Sequence, residues 1–186
     1  MMKGLSKFLF WITGWKFTGE WPKGVKNAVL IAIPHTSNWD LLYARAAFFL
    51  MDIPVKFTIK KEAMVGPLGW ILSGLGAIAI DRKRIPGGRK QTYTEAMISM
   101  LKEREDLVIM VTPEGTRSAV KKWKSGFYHI ALGAGVPVVI GFLDYKKKTA
   151  GIGPHIFPDG NMDAQVEELK VFGRTVSARH PEQGII

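Results

Sequence analysis

Apolar runs of strand length recur along the chain at 28–33 (AVLIAI), 55–60 (VKFTIK), 76–81 (GAIAID), 107–112 (LVIMVT) and 137–143 (PVVIGFL). Between most of them lie stretches of helical character, over 39–51, 62–73, 88–104 and 122–134. In the third stretch Tyr93, Met97, Met100 and Leu101 fall at helical spacing, while Lys90, Glu95, Lys102 and Glu103 provide a polar face, the pattern of a helix packed on a core. Strands alternating with helices in this way predict an α/β fold with a mostly parallel (mixed) sheet flanked by helices. The apolar segment GWILSGLGAIAI (69–80) is broken by Gly74 and Gly76, and so divides into a helix end and a buried strand. From 144 onward DYKKKTAGIGPHIFPDG reads as an edge hairpin or loops. NMDAQVEELKVFGRTVSARHP opens with a capping pattern and reads as a last helix whose order Pro181 ends.

A chain of 186 residues, 47% hydrophobic, is long enough for one domain with a substantial core. No internal repeat, low-complexity tract or linker divides it; the most linker-like piece, RKRIPGG (82–88), is too short to do so. The expected organisation is an N-terminal amphipathic, interfacial segment over 1–27 followed by a single domain over 28–186. In the first segment, LSKFLFWITGWKFTGEWP combines a short apolar core, Phe8 to Ile12, with lysines and three tryptophans. The run is well below the roughly 20 residues a membrane span needs, which favours an interfacial helix. A signal peptide is the competing reading, but Thr13 and Gly14 interrupt the run and no A-x-A-like site follows. Docking on a membrane surface and packing on the domain's own core both bury Trp and Phe, and both stay open.

The charge balance widens the question from fold to partner. With 26 Lys+Arg against 16 Asp+Glu, the net charge of +10 points to an anionic partner: nucleic acid, an acidic membrane surface or phosphate-bearing substrates. The absence of cysteine removes disulfides, thiolate metal sites and cysteine nucleophiles together. Basic runs at KKWK (121–124) and YKKK (145–148), with abundant aromatics, would suit a nucleic-acid-binding module, but no zinc-knuckle spacing, RNP-like aromatic strand or recognition-helix pattern accompanies them.

In an open α/β sheet ligands sit beyond the carboxyl ends of the strands. Three strand ends carry unusual chemistry: HTSNWD after the first run, DRKR after the third and PEGTRS after the fourth. On one straight helix His35 and Asp40 would point about 140° apart. A loop followed by a helix start brings them together: with Ser37 or Asn38 as cap, Asp40 lies in the first turn and His35 folds back onto its carboxylate. A carboxylate on one ring nitrogen fixes the tautomer and leaves the other as a general base. The plainer reading is an Asp favoured by the helix dipole beside a histidine satisfying loop backbone. In TPEGTRS, Pro113 and Gly115 fit a tight turn that aims backbone N–H groups at an anion, and Arg117 adds a forked cation. Glu114 fits such a site if it holds the arginine or accepts from a substrate hydroxyl. The plainer reading there is a solvated surface turn. Two such stretches at two strand ends of one short domain argue for a site.

These residues resemble the glycerolipid acyltransferase family, which contains lysophosphatidate acyltransferase. HTSNWD is similar to its H-x-x-x-x-D signature and PEGTRS to its P-E-G-T-R-S block, in that order and about 75 residues apart. IKKEAMVGPLG (59–69), GAIAIDR (76–82) and GVPVVI (135–140) resemble weaker blocks, so the likeness covers roughly 28–145. It implies a glycerol-phosphate acyltransferase-like fold and an O-acyltransferase that moves a fatty acyl group from acyl-CoA or acyl carrier protein to a hydroxyl of a lysophospholipid or glycerol-phosphate acceptor. Carried over by position, His35 would be the general base and Asp40 would orient it, with no acyl-enzyme, metal or cofactor. Lys60, Arg82, Glu114, Gly115, Thr116 and Arg117 would bind substrate, Arg82 and Arg117 pairing with phosphate. An anionic membrane surface would be a further partner, and no nucleic acid is expected.

The sequence departs from the family pattern at Pro34, where Asn is common, and at Ala79 and Asp81, where aromatic or arginine residues are common, which leaves the acceptor open. With only about 27 residues before the first strand, peripheral attachment on the cytoplasmic side of a membrane is expected. A lipid hydrolase using the same His–Asp pair is the alternative enzyme, but no G-x-S-x-G elbow is present and LSGLG (72–76) has the wrong order. His129, His155 and His180 show no metal-ligand spacing, and no P-loop occurs.

Overall fold

The computed structural model describes residues 2–60, 64–80, 82, 84 and 88–186, without the side chains of Lys60 and Leu68. Its helices are α1 (Met2–Thr13), α2 (Trp39–Leu50), α3 (Gly66–Gly74), α4 (Tyr93–Glu103), α5 (Gly126–Ala134) and α6 (Met162–Arg174). Its strands are β1 (Lys16–Thr18), β2 (Ala28–Ile33), β3 (Val55–Lys60), β4 (Ala77–Ile80), β5 (Val108–Val111), β6 (Val138–Asp144) and β7 (Thr149–Ile156). They form one seven-stranded sheet in the order β1-β7-β6-β2-β5-β3-β4, parallel except for the β6–β7 hairpin. The expected α/β architecture is the one observed.

The continuous apolar run of β2 is explained by its position at the centre of two layers. Val29, Ile31 and Ile33 enter a core with residues of α4, α5 and α6, while Ala28 and Leu30 enter a second core with residues of α1 and α2. After β3 and β4 have added to one side of β5, the chain crosses from β5 over β2 to β6. The sheet therefore changes direction around β2, and the loops leaving β2 and β5 emerge side by side at its carboxyl edge.

Several boundaries differ from the sequence expectation. The third helix starts at Tyr93 and not at 88, because Thr92 forms a reciprocal capping box with Glu95. The fourth starts at Gly126 and not at 122: Lys124 N–H donates to the Pro113 carbonyl (2.8 Å), so the chain there closes the loop after β5 instead of turning helical. The hairpin is real, but β7 is not an edge strand, since β1 pairs with it in parallel. Asn161 sits at the cap of the last helix without a side-chain capping bond, and that helix stops at Arg174, leaving 175–180 to run across the sheet's carboxyl edge. Asp81 and most of RKRIPGG lie outside the described residues.

The N-terminal segment packs one face on the domain's own core. Phe10 and Trp15 are buried in the core beside α2. The opposite face of α1 leaves Leu5, Phe8, Trp11 and Ile12 exposed, Trp11 at 78%. Among the described residues no helix is long and apolar enough to cross a membrane.

Asn27, just ahead of β2, ties this centre to its neighbours. Its amide donates to the carbonyls of Leu101 (2.8 Å) and Arg104 (2.7 Å) at the end of α4, and its oxygen accepts from Leu107 N–H (2.9 Å) at the entry to β5. Asn27→Ala strips all three partners at once and is expected to lower unfolding free energy by about 1–2 kcal/mol in urea titrations, with activity retained. A midpoint equal to that of the parent would contradict this.

Candidate active site

Asp40 is 6% exposed, in the first turn of α2. Its Oδ2 accepts from the N–H groups of Thr36 and Ser37 (2.8 Å each) and faces His35 Nδ1 at 3.2 Å; its Oδ1 accepts from the Tyr145 hydroxyl at 2.7 Å. The capping expectation needs correction in detail. Asn38 holds the cap position but makes no side-chain bond, and Ser37 Oγ accepts only a 3.3 Å bond from Trp39 N–H. The ordering instead runs backward from Asp40, whose carboxylate gathers the preceding loop onto itself and so draws His35 to the helix. Burial alone would raise the Asp40 pKa, but the bonds from His35, Tyr145, Ser37 and Thr36 outweigh it and hold the carboxyl below its usual range.

The second motif meets the first from β5. Gly115, at φ +65°, makes the turn that follows Pro113 and Glu114, with its N–H on the Thr112 carbonyl (3.1 Å). This turn sends Glu114 inward, where it is 7% exposed and Oε1 accepts from His35 N–H at 3.3 Å. Glu114 thus holds the backbone of the His35 loop; no ion pair with Arg117 occurs among the described residues. Its Oε2 is buried without a partner. Burial pushes its pKa up to about 7, aided by the Asp40 charge and opposed by the backbone N–H groups of Glu114 and His35 and by the His35 charge.

Two cavities share His35 and Thr112 in their walls. One is an open polar cleft of about 380 Å³, completed by Gly115, Thr116 and Arg117. The other is a narrow apolar pocket of about 70 Å³, running between α2 and the sheet. Small residues make this room: Ala32, Ala44, Ala47, Gly141, Ala150 and Gly151 line it, with Phe48 and Met51. Of the bulky residues that could line an apolar groove, Phe48 does so, whereas Trp39 and Trp70 are exposed and Phe49 lies against Arg45.

The structure therefore brings His35, Asp40, Glu114, Gly115, Thr116 and Arg117 together. Arg82 is exposed with its guanidinium 4.8 Å from the Tyr93 ring centroid, and it does not line the cleft. The Lys60 side chain lies outside the described residues. Sequence reasoning missed Tyr145, which it placed in a basic surface run. Tyr145 directly follows β6 and so stands at a strand end like the other motifs, but its meeting with Asp40 depends on β6 lying beside β2.

Glu114 carries a testable stability cost. With its carboxyl raised from 4.5 to about 7 in the folded state, the native chain keeps a proton that the unfolded chain has released between those values, so stability falls as pH rises through that window. Glu114→Gln removes the titration. Relative to the parent, its unfolding free energy is expected to improve by about 2–3 kcal/mol between pH 4.5 and 8 in parallel denaturation series. A difference that stays flat across that range would show that Glu114 is not held in this way.

Comparison with known proteins gives two findings. A family model described as Acyltransferase matches residues 16–140. The fold is similar to the crystal structure of the 1-acyl-sn-glycerophosphate (LPA) acyltransferase PlsC from Thermotoga maritima, with a TM-score of 0.61 and 21% identity over 90% of this chain and 74% of that one. No curated protein sequence matches the chain.

Proposed function

The chain belongs to the acyltransferase family, and from that premise we propose that it transfers a fatty acyl group from a thioester to a hydroxyl of a lysophospholipid or glycerol-phosphate acceptor, with His35 as general base oriented by Asp40. The observation that carries this reading is the place of His35 in the wall shared by an apolar pocket and a polar, arginine-bearing cleft. An acyl transfer needs such a border: one side for the hydrocarbon chain, one for a polar acceptor, and a base between them.

In the proposed reaction the acyl chain lies in the pocket under α2, with its thioester carbonyl at His35. The acceptor enters the polar cleft, where Arg117 and Thr116 line the space for its phosphate. Nδ1 of His35 is engaged by Asp40, which leaves Nε2 to take the proton from the acceptor hydroxyl. The oxygen attacks the thioester carbonyl, forming a tetrahedral intermediate; the C–S bond then breaks, and the departing thiolate takes the proton back from the imidazolium. Ester and free thiol are the products. No acyl-enzyme forms, in keeping with a chain that has no cysteine. The donor is acyl-CoA or acyl carrier protein, both anionic and suited to a net charge of +10.

The reading extends to a peripheral site on the cytoplasmic side of an anionic membrane. The bare face of α1 and the exposed Trp39, Leu41 and Leu42 of the adjoining α2 offer apolar surface to a bilayer, and Lys7 adds positive charge on α1. Leu41 is both exposed and part of the pocket wall, which gives a hydrocarbon chain a short route from the surface to His35.

Purified protein incubated with a labelled long-chain acyl thioester and a panel of lysolipids and glycerol 3-phosphate is expected to form acylated product. His35→Ala should reduce kcat by about 10²–10⁴-fold; equal turnover by the variant would remove His35 from the base role. Arg117→Ala is a separate probe of the cleft: KM for a phosphorylated acceptor should rise about tenfold or more, as loss of a charge-assisted bond requires. An unchanged KM would place the anion elsewhere.

A further inference from the structure

Tyr145 lies past the end of the segment matched by the family model, one residue beyond β6. The Thr36, Ser37 and His35 nitrogens all converge on Oδ2 of Asp40, while Oδ1 receives the Tyr145 hydroxyl alone among the described residues. We propose that Tyr145 is a positioning residue for acyl transfer: through Oδ1 it fixes the rotation of the Asp40 carboxylate, and so the orientation of the His35 ring, and draws part of the carboxylate's charge away from the imidazole. The proposal rests on the reading of His35 as base given above.

A carboxylate held at one oxygen can still rock about its terminal bond, because that torsion has no sharp staggered wells. A donor on the second oxygen, from a different part of the chain, stops the rocking. Tyr145 is itself fixed from several sides. Its ring meets Trp15 edge-on at 5.1 Å and Tyr43 at 6.2 Å, and those two stack on each other at 4.4 Å. Its N–H donates to the Ser177 carbonyl at 2.9 Å. The segment that follows Ser177 then reaches the His35 loop, where His180 N–H donates to Thr36 Oγ1 at 3.3 Å. Burial and the Asp40 charge keep the phenol above its ordinary pKa, with Arg179 pulling the other way, so it remains a donor across the working pH range. The Arg179 guanidinium lies 5.8 Å from the Tyr145 ring centroid and 5.4 Å from that of Trp39.

Besides Asp40 and Tyr145, the charged groups near His35 are Glu114, whose carboxylate accepts from the His35 backbone, and Arg117, which shares the wall of the polar cleft with it. Arg179 acts on the pair through Tyr145. Removing the Tyr145 hydroxyl returns charge to Asp40, which then holds the imidazolium more tightly and aligns it less well. Both effects oppose turnover, and the first moves the protonation of the base to higher pH.

Tyr145→Phe keeps the aromatic packing and removes the hydroxyl alone. Steady-state kinetics from pH 5 to 9 with an acyl thioester and an accepted lysolipid are expected to show kcat about tenfold lower, KM for both substrates within about twofold of the parent, and the acid limb moved up by about half a pH unit. Adding Arg179→Gln to Tyr145→Phe should have little further effect if Arg179 acts through the phenol. A Tyr145→Phe profile with unchanged kcat and acid limb would overturn the proposal, as would a lowered kcat with an unmoved acid limb, the result of a merely structural role. His35→Ala separates this from failure of the base assignment. Should that variant stay active, the His35 ring titration followed by NMR in parent and Tyr145→Phe decides the positioning claim alone, and an unmoved midpoint overturns it.

Discussion

Parallel pairing of β2 with β5, in register from Ala28–Val108 to Ile31–Val111, is the constraint on which the site depends. Parallel neighbours end at the same edge of a sheet, so the loop after β2 and the loop after β5 must leave side by side although some 75 residues separate them. The bond from His35 N–H to Glu114 joins the two loops at that edge. Burial of β2 on both faces secures the pairing, since a slip of one residue would exchange the side chains of its two cores. The chemistry thus inherits its precision from the least polar part of the molecule.

On that frame the small residues of α2 and the sheet bear on the proposed reaction. Ala44 and Ala47 line the pocket together with Ala32 and Ala150, whereas Gly141 is small because a side chain there would meet Leu30. A protein interior is close-packed by default, so space beside a buried carboxylate must be kept open by side chains too small to close it. The apolar face left bare on α1 belongs to the same region, because α1 packs on α2 and α2 forms one wall of the pocket.

Much of this was legible in the sequence. Apolar runs bounded by loops gave the strands, and placing unusual residues just after them located His35, Asp40, Glu114 and Arg117. Three things were not legible, each for a physical reason. The direction of Glu114 depends on the φ of Gly115, which sequence does not state, so a residue expected to face substrate turns inward to the His35 backbone. The helix starts at 93 and 126 depend on which local donors are satisfied, by Glu95 in one case and by Pro113 in the other. Tyr145 reaches Asp40 only because β6 lies beside β2, a topological fact that no local pattern carries.

The two buried carboxyls near His35 are held in opposite states by the donors around them. Asp40 collects four donors over both oxygens and is kept ionised. Glu114 has one oxygen on the His35 backbone and the other without a partner, and burial raises it to about 7. In the proposed reaction this asymmetry has a function. A general base in acyl transfer must accept a proton and then release it to the departing thiolate. Two full negative charges beside one imidazole would favour the first step and obstruct the second. By leaving Glu114 short of donors, the fold reduces the charge it presents near neutrality while keeping its grip on the loop. Environments that drive two neighbouring carboxyls apart are a common means of dividing roles in an active site. In the proposed reaction the division is between Asp40, which orients the imidazole, and Glu114, which holds the loop that carries it.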